Sequence, residues 1–238
     1  MDTVKVKLLG IGSAEIRFEG FSVFIDAFND YINPPLLASK DLILFTHGDV
    51  DHFNAQKVLD AAKENIIIGP PGIAYPLLAN TNLNPEILKI TYPINLNKPV
   101  EHEFGELKIK VYQTRHFIDW EPDHISFLFM YKGKRIYFTG DSHSFYYDDP
   151  DIYDLDALIY SLILKDVVEG RMSSQEGAKL HIPELKGIQD RLKPKCIIGN
   201  HLIECGWTVG VTDIKKELEY VGAQNIIIPE NDSDEIQI

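Results

Sequence analysis

The alternation of apolar and polar positions predicts short strands and few helices in the first half of the chain. Apolar or alternating runs predict strands at 4–9, 14–18, 21–25, 42–46 and 66–68, with Gly-rich turns after the first two. Ala55, Val58, Leu59 and Ala62 have the spacing of a helix, and Asn54 is a suitable N-cap for it. A second, shorter helix is predicted at 73–79.

The second half repeats this pattern. Strands are predicted at 107–113, 125–131, 135–139, 155–162, 196–198 and 226–228. One helix is predicted around Leu185 to Leu192, with Pro183 near its start, and another begins at Thr212 or Asp213. Each half is therefore a run of strands that ends in strand–helix alternation. This organisation predicts two sheets packed face to face with helices outside, in a single domain that covers residues 1–238.

Composition and charge narrow the class of function. The 238 residues include 23 basic and 36 acidic side chains, which gives a net charge of −13. This charge argues against broad binding of nucleic acid or of an anionic membrane, because both need a basic surface. No run is long enough to cross a membrane, the N-terminus has no signal-peptide character, and two cysteines do not form a disulfide framework. We expect a cytoplasmic protein with free thiols, and a homo-oligomer stays open.

The segment His47-Gly48-Asp49-Val50-Asp51-His52 is the most informative part of the sequence. It lies between a predicted strand and a predicted helix, so two histidines and two carboxylates share one turn. Such groups are costly to desolvate, and the carboxylates repel each other, unless a cation is present. A bound divalent metal ion resolves both problems. The alternative is an acidic, solvated turn with incidental histidines.

Three further ligand-type residues each follow a predicted strand, namely His116, Asp141 and His201. Loops at strand ends are where a rigid scaffold places functional side chains. Taken singly, each of these histidines is more often a surface or core residue than a ligand, and a lone Gly-Asp pair is usually a turn. Together with the segment at 47–52, in this order, they indicate a metal centre.

These segments, in this order, resemble the motifs of the metallo-β-lactamase fold superfamily of metal-dependent hydrolases. The resemblance rests on the early Leu9-Gly10-Ile11-Gly12 turn, on Asp26, on the segment at 47–52, and on the strand-end residues just described. It implies an α/β fold, a four-layer αββα sandwich of two mixed β-sheets with outer helices. The opening of the chain and the stretch Tyr137 to Asp141 look most like the branch that includes the ascorbate-6-phosphate lactonase, and the segment 181–201 is also similar to small phosphodiesterases related to tRNase Z.

The resemblance also implies a cofactor and a ligand set. Two divalent metal ions are expected, with Zn²⁺ the first choice and Mn²⁺ or Fe²⁺ as alternatives. One ion would be held by His47, Asp49 and His116, the other by Asp51, His52 and His201, with Asp141 bridging them. Asp26 would hydrogen-bond behind a ligand histidine. A metal-bound hydroxide would then cleave an ester, lactone or phosphodiester-type bond of a small molecule.

Asp49 departs from the histidine that the family usually has at this position. An added carboxylate lowers the positive charge of the centre and shifts its preference from zinc toward harder ions such as Mn²⁺ or Fe²⁺. We therefore hypothesise that the first ion is held more weakly, or is a different ion, than in a relative with a histidine there.

Three residues are candidates for catalysis. Asp51 could orient the attacking hydroxide in addition to ligating a metal ion. His124 could act as a general acid or oxyanion donor, although a loop-exposed histidine is an equal alternative. His143 follows Asp141 closely and could contact the substrate, and His181 could face the same pocket.

Other functions on this fold stay open. The superfamily includes di-iron oxygen and nitric-oxide reductases that carry a carboxylate at the position of Asp49, typically glutamate, together with a flavin domain that this sequence is not expected to contain. A mono-iron redox enzyme, a tRNase Z-like nuclease and a non-catalytic binding protein are further alternatives. Iron content and an oxygen-dependent colour change would distinguish the redox enzymes from a hydrolase.

Overall fold

The computed structural model describes residues 3–79, 83–93, 98–116, 123–145, 147–162, 174–201, 222–229 and 234–238. For 174–182 only the backbone is described. The helix predicted from Thr212 or Asp213 lies outside these ranges.

Seven strands form the first sheet. They are β1 (Lys5–Gly10), β2 (Ser13–Phe18), β3 (Phe21–Ile25), β4 (Leu42–Leu44), β5 (Ile67–Gly69), β6 (Leu88–Ile90) and β14 (Glu235–Gln237). Their spatial order is β14-β1-β2-β3-β4-β5-β6. Pairing is antiparallel from β14 to β3 and parallel from β3 to β6, so the carboxyl ends of β3 and β4 lie side by side at one edge.

Seven more strands form the second sheet. They are β7 (Val100–Phe104), β8 (Leu107–Gln113), β9 (Ile125–Tyr131), β10 (Lys134–Phe138), β11 (Ala157–Ser161), β12 (Ile197–Asn200) and β13 (Ile226–Ile227). Their order is β13-β12-β11-β10-β9-β8-β7, antiparallel from β7 to β10 and parallel from β10 to β13. This sheet therefore also brings the carboxyl ends of several strands to one edge.

Helices cover the outer faces of both sheets. α1 (Ala55–Ala61) and α2 (Pro71–Leu78) share an apolar cluster with β4 and β5, whereas α3 (Ser174–Leu192) shares one with β10, β11 and β12. A third cluster, which includes Ile16, Ile25, Phe127, Phe129 and Phe138, joins the inner faces of the two sheets. The four layers are those of the predicted αββα sandwich. None of the helices described is long and apolar enough to cross a membrane.

Some predicted elements were wrong in position or missing. Pro183 lies inside α3, which begins nine residues earlier at Ser174, because polar residues in the first turns hide the helical periodicity. The predicted strand at 155–162 is shorter, at Ala157–Ser161. The strands β6, β7 and β14 were not predicted. They lie at or next to sheet edges, where side chains are largely exposed and the hydrophobic pattern is weak.

Candidate metal centre

The loop between β4 and α1 is a tight turn built by backbone hydrogen bonds. The carbonyl of Asp49 accepts the N–H groups of His52, at 2.9 Å, and Phe53, at 2.7 Å. Asn54 then caps α1, as predicted, by accepting the Lys57 N–H at 2.9 Å. Since the main chain fixes this turn, the side chains at 47, 49, 51 and 52 are free to point at a common centre.

The seven predicted ligand residues converge at the edge of the two sheets. Three groups have ligand atoms within 4.8 Å of one another, and these are His47, Asp49 and His116, then His47, His52 and Asp141, then Asp51, His52 and His201. We call the first group the first position and the third group the second position. The middle group contains one histidine from each position and Asp141, so the two positions are adjacent.

Asp141 lies between the two positions. Its Oδ2 is 3.3 Å from His52 Nε2, 3.5 Å from His201 Nε2 and 3.8 Å from His116 Nε2. Burial raises the pKa of the Asp141 carboxyl, but the imidazoles of His201 and His52 outweigh this and hold it well below its usual range. The residue is therefore an anion in a buried setting, at the place where a bridging ligand is expected.

One buried carboxylate orients two of the ligand histidines. Asp26 Oδ2 accepts the Thr46 hydroxyl at 2.6 Å and lies 2.9 Å from His52 Nδ1. Because Thr46 donates its only hydroxyl proton to Asp26, it must accept a proton from His47 Nδ1, at 2.9 Å. Both histidines thus carry their proton on Nδ1, and each leaves Nε2 as the metal-facing atom. The hydrogen bond that the sequence predicts for Asp26, behind one of these histidines, is therefore present.

The pKa values of these two rings shift in opposite directions. Burial and the neighbouring His52 lower the pKa of His47 well below its usual value. Burial also lowers the pKa of His52, but the carboxylates of Asp141 and Asp26 raise it well above its usual value. A metal ion in place of a proton on His52 Nε2 would pair with Asp141, while the Nδ1 proton stays on Asp26.

His124 is fully buried directly behind Asp141. Its Nε2 accepts the backbone N–H of Asp141 at 3.0 Å, and its Nδ1 lies 2.8 Å from Thr114 Oγ1. Ser126 donates its hydroxyl proton to the Thr139 carbonyl, so Thr114 donates to Ser126 and accepts from His124. Burial and the nearby His116 lower the pKa of His124 well below its usual value, which agrees with a neutral ring. The geometry favours a positioning role for His124, and the proton-transfer role stays a prediction.

Two glycines make room for this arrangement. Gly12 has a φ of +65°, and a Cβ there would lie 2.6 Å from His52 Cε1 and 2.9 Å from His201 Cδ2. Gly140 has a φ of +56°, and a Cβ there would lie 2.7 Å from His124 Nε2. Only glycine meets both the left-handed backbone and the close approach at these positions.

The residues present fit divalent metal ions. The buried atoms His47 Nε2 and Asp141 Oδ1 make no hydrogen bond within the described ranges. Buried polar atoms are rarely left in this state, and an absent ion is one of the recognised reasons. Four imidazoles and three carboxylates are also a donor set that suits Zn²⁺, Mn²⁺ and Fe²⁺.

The remaining predicted site residues lie around this cluster. Asp49 and Asp51 are the most open ligands, with 40% and 32% of their side chains exposed. His143 belongs to none of the three groups, and its ring stacks on Tyr160 at 5.3 Å, so its substrate role stays a prediction. His181 lies in α3, in the part whose side chains are not described.

Sequence reasoning missed the residues that support the ligands. Thr46 and Thr114 each fix a histidine, and the Asn200 amide donates to the Gly12 carbonyl at 2.9 Å, which links the two sheets beside His201. A single threonine or asparagine carries no periodicity and no motif, so no signal identified them. The Gly10–Gly12 turn was a signal, but its close contact with the histidines was not visible in the sequence.

Comparison with known proteins assigns this chain to a family. The sequence profile of the Beta-lactamase superfamily domain matches residues 22–181, and the chain therefore belongs to that superfamily. No curated protein matches the sequence. The family supports the prediction that the chain is an enzyme of the metal-dependent hydrolase type.

Solved structures share the fold at low sequence identity. Igni18, a metallo hydrolase from the archaeon Ignicoccus hospitalis, has a TM-score of 0.69 at 15% identity and covers 99% of this chain and 98% of its own. The isothiocyanate hydrolase from Delia radicum gut bacteria has a TM-score of 0.68 at 14% identity, covering 98% of each chain. CmlA, a diiron β-hydroxylase from Streptomyces venezuelae, has a TM-score of 0.62 at 13% identity. The match covers 100% of this chain and 54% of the CmlA chain.

Proposed function

We propose that this chain is a hydrolase that binds two divalent metal ions and cleaves an ester, lactone or phosphodiester-type bond of a small molecule. The observation that carries the proposal is the convergence of the first and second positions on one shared, buried carboxylate, Asp141. Two three-residue donor sets side by side, rather than one, favour two ions over a single ion. A small substrate agrees with the net charge of −13, which disfavours nucleic acid.

The bound ions would supply a water of lowered pKa and would polarise the oxygen of the bond to be cleaved. The chain's own residues hold this arrangement in place. Asp26 and Thr46 keep Nε2 of His47 and His52 facing the centre. His124 fixes the main chain at Asp141. Asp51, which is 3.7 Å from His52 Nε2 and 3.8 Å from His201 Nε2, is open enough to accept a proton from an attacking water.

Zn²⁺ is the ion that four imidazole ligands favour, and the three carboxylates also suit Mn²⁺ or Fe²⁺. We further propose a cytoplasmic location, which the sequence composition and the absence of a cysteine framework support.

The proposal is tested by removing one position at a time. Protein stripped of metal and reloaded with Zn²⁺ or Mn²⁺ is assayed on p-nitrophenyl esters, γ-lactones and bis(p-nitrophenyl) phosphate, beside His116→Ala and His201→Ala variants. We expect hydrolysis that depends on added metal and falls by at least about a hundredfold in both variants, as the loss of a two-metal clamp requires. Metal-independent hydrolysis, or hydrolysis unchanged in both variants, would contradict the proposal.

A redox enzyme is the second candidate because each position offers two imidazoles and one carboxylate, a donor set used by non-haem Fe(II) enzymes. Purified protein that contains iron, changes colour with oxygen and hydrolyses none of the substrates above would favour this candidate.

A further inference from the structure

The two metal positions have the same donor set. The first consists of two imidazoles and the carboxylate of Asp49, and the second consists of two imidazoles and the carboxylate of Asp51. Asp141 lies between them. A histidine in place of Asp49 would make the two positions unlike each other, so this one residue sets their equivalence.

Asp49 also lowers the charge of the whole centre. Two divalent ions bring four positive charges, and the carboxylates of Asp49, Asp51 and Asp141 cancel about three of them, whereas two carboxylates would leave about twice the net charge. The ion pairs described around the ligands are His–Asp pairs, with no lysine or arginine among them. The ligand set itself therefore offers an anion only a small residual attraction.

The exposed ligands of the centre are also carboxylates. Asp49 and Asp51 are its most exposed ligands, so their carboxylates are the ligand groups that solvent reaches most readily. Val50, between them, is 60% exposed and presents an apolar side chain. A phosphate ester, which is anionic at neutral pH, would have to approach two carboxylates. An uncharged ester or lactone would meet the same carboxylates without charge repulsion.

We propose that Asp49 determines substrate specificity, and that the low net charge of the centre selects uncharged carbonyl substrates, such as esters and lactones, over phosphate esters. This inference rests on the proposed function and deepens it. It assigns to Asp49 a role in rejecting anions in addition to its role as a ligand.

Inorganic phosphate is the probe that tests this selection without relying on catalysis. Phosphate is titrated calorimetrically into Mn²⁺-loaded wild-type protein and into Asp49→Asn and Asp49→His variants, after elemental analysis has shown two ions per chain. The Asn variant removes the charge at nearly constant shape, and the His variant removes it while keeping a ligand. The turn at Asp49 is held by its backbone carbonyl, so both variants should fold. Asp60→Asn, an exposed carboxylate on α1, controls for net charge.

We expect both Asp49 variants to bind phosphate at least about tenfold more tightly than wild type, since a unit charge a few ångströms from a bound anion is worth that much even near a protein surface. Asp60→Asn should match wild type. The ratio of kcat/KM for a lactone to that for bis(p-nitrophenyl) phosphate should fall in parallel.

Equal phosphate affinity in wild type and Asp49→His, both with two ions bound, would overturn the inference. If Asp49→Asn loses an ion, the comparison of phosphate affinity is made between wild type and Asp49→His alone. A wild-type protein that binds two ions and hydrolyses no ester, lactone or phosphate ester would instead overturn the proposed function, whatever the phosphate affinities.

Discussion

Asp26 Oδ2 and His52 Nδ1 lie 2.9 Å apart, and both groups are completely buried. The same carboxylate oxygen accepts the Thr46 hydroxyl, which in turn accepts from His47. One side chain outside the ligand set thus fixes a histidine in each metal position. Groups of this kind set the orientation and the basicity of metal ligands.

Replacing Asp26 by asparagine should weaken binding at both positions. Asparagine keeps the shape and tolerates the φ of +53° found here, but it cannot accept from Thr46 and His52 as a carboxylate does. We expect metal affinity to fall by about 10- to 100-fold. Calorimetric titration of the stripped protein with Zn²⁺ measures this, with Asp60→Asn as the control. Unchanged affinity at both positions would show that the hydrogen bond has no such role.

The Thr46 hydroxyl should be needed for both stability and metal binding. Thr46→Val keeps the shape but leaves His47 Nδ1 without its acceptor in a buried site, so the free energy of unfolding should fall by about 1–3 kcal/mol. Thr46→Ser retains the hydroxyl and should recover most of the metal affinity. Urea unfolding and metal titration of the pair check this, and equal losses in both variants would contradict a specific role for the hydroxyl.

Gly12→Ala should damage the second position by direct overlap. The added Cβ would lie 2.6 Å from His52 Cε1 and 2.9 Å from His201 Cδ2. Gly105 is a matched control, because it has a similar φ of +61° and open space around its Cα. Gly105→Ala should therefore cost only the backbone strain, about 1 kcal/mol, and keep both ions. Elemental analysis and thermal unfolding separate the two effects, and retention of both ions in Gly12→Ala would contradict the overlap.

The Lys110–Asp149 pair should make stability depend on pH in the acid range. Burial raises the pKa of Asp149, but the backbone N–H of Asp151 and the Lys110 ammonium, 2.9 Å away, lower it overall. A folded pKa below the unfolded value stabilises the protein above the unfolded value, near pH 4, and this contribution is lost as the pH falls through the folded value. The stability difference between wild type and Asp149→Asn should therefore be greatest at neutral pH and shrink below about pH 4. Urea unfolding of both proteins across this pH range measures the difference in stability. A difference that grows toward acid pH would contradict the prediction.

The sequence was informative where residue type and spacing carry the signal. His47 to His52, Asp141 and His201 stand after strands of the parallel part of each sheet, whose ends meet at one edge, so the convergence of these residues could be predicted. The environment of His124 could not be predicted, because a histidine in an acidic loop segment looks exposed while its ring is enclosed by Thr114 and Asp141. The sequence did not predict strands such as β7 and β14, because edge strands lack a clear apolar face.

The number of metal ions bound per chain tests the central claim most directly. Native mass spectrometry and elemental analysis of stripped protein reloaded with Zn²⁺ or Mn²⁺ should give two ions in wild type, one in His116→Ala and in His201→Ala, and fewer than two in Asp141→Asn. Two ions in wild type that respond in this way would establish adjacent positions joined by Asp141. One ion or none in wild type at saturating metal, under both ions, would contradict the account.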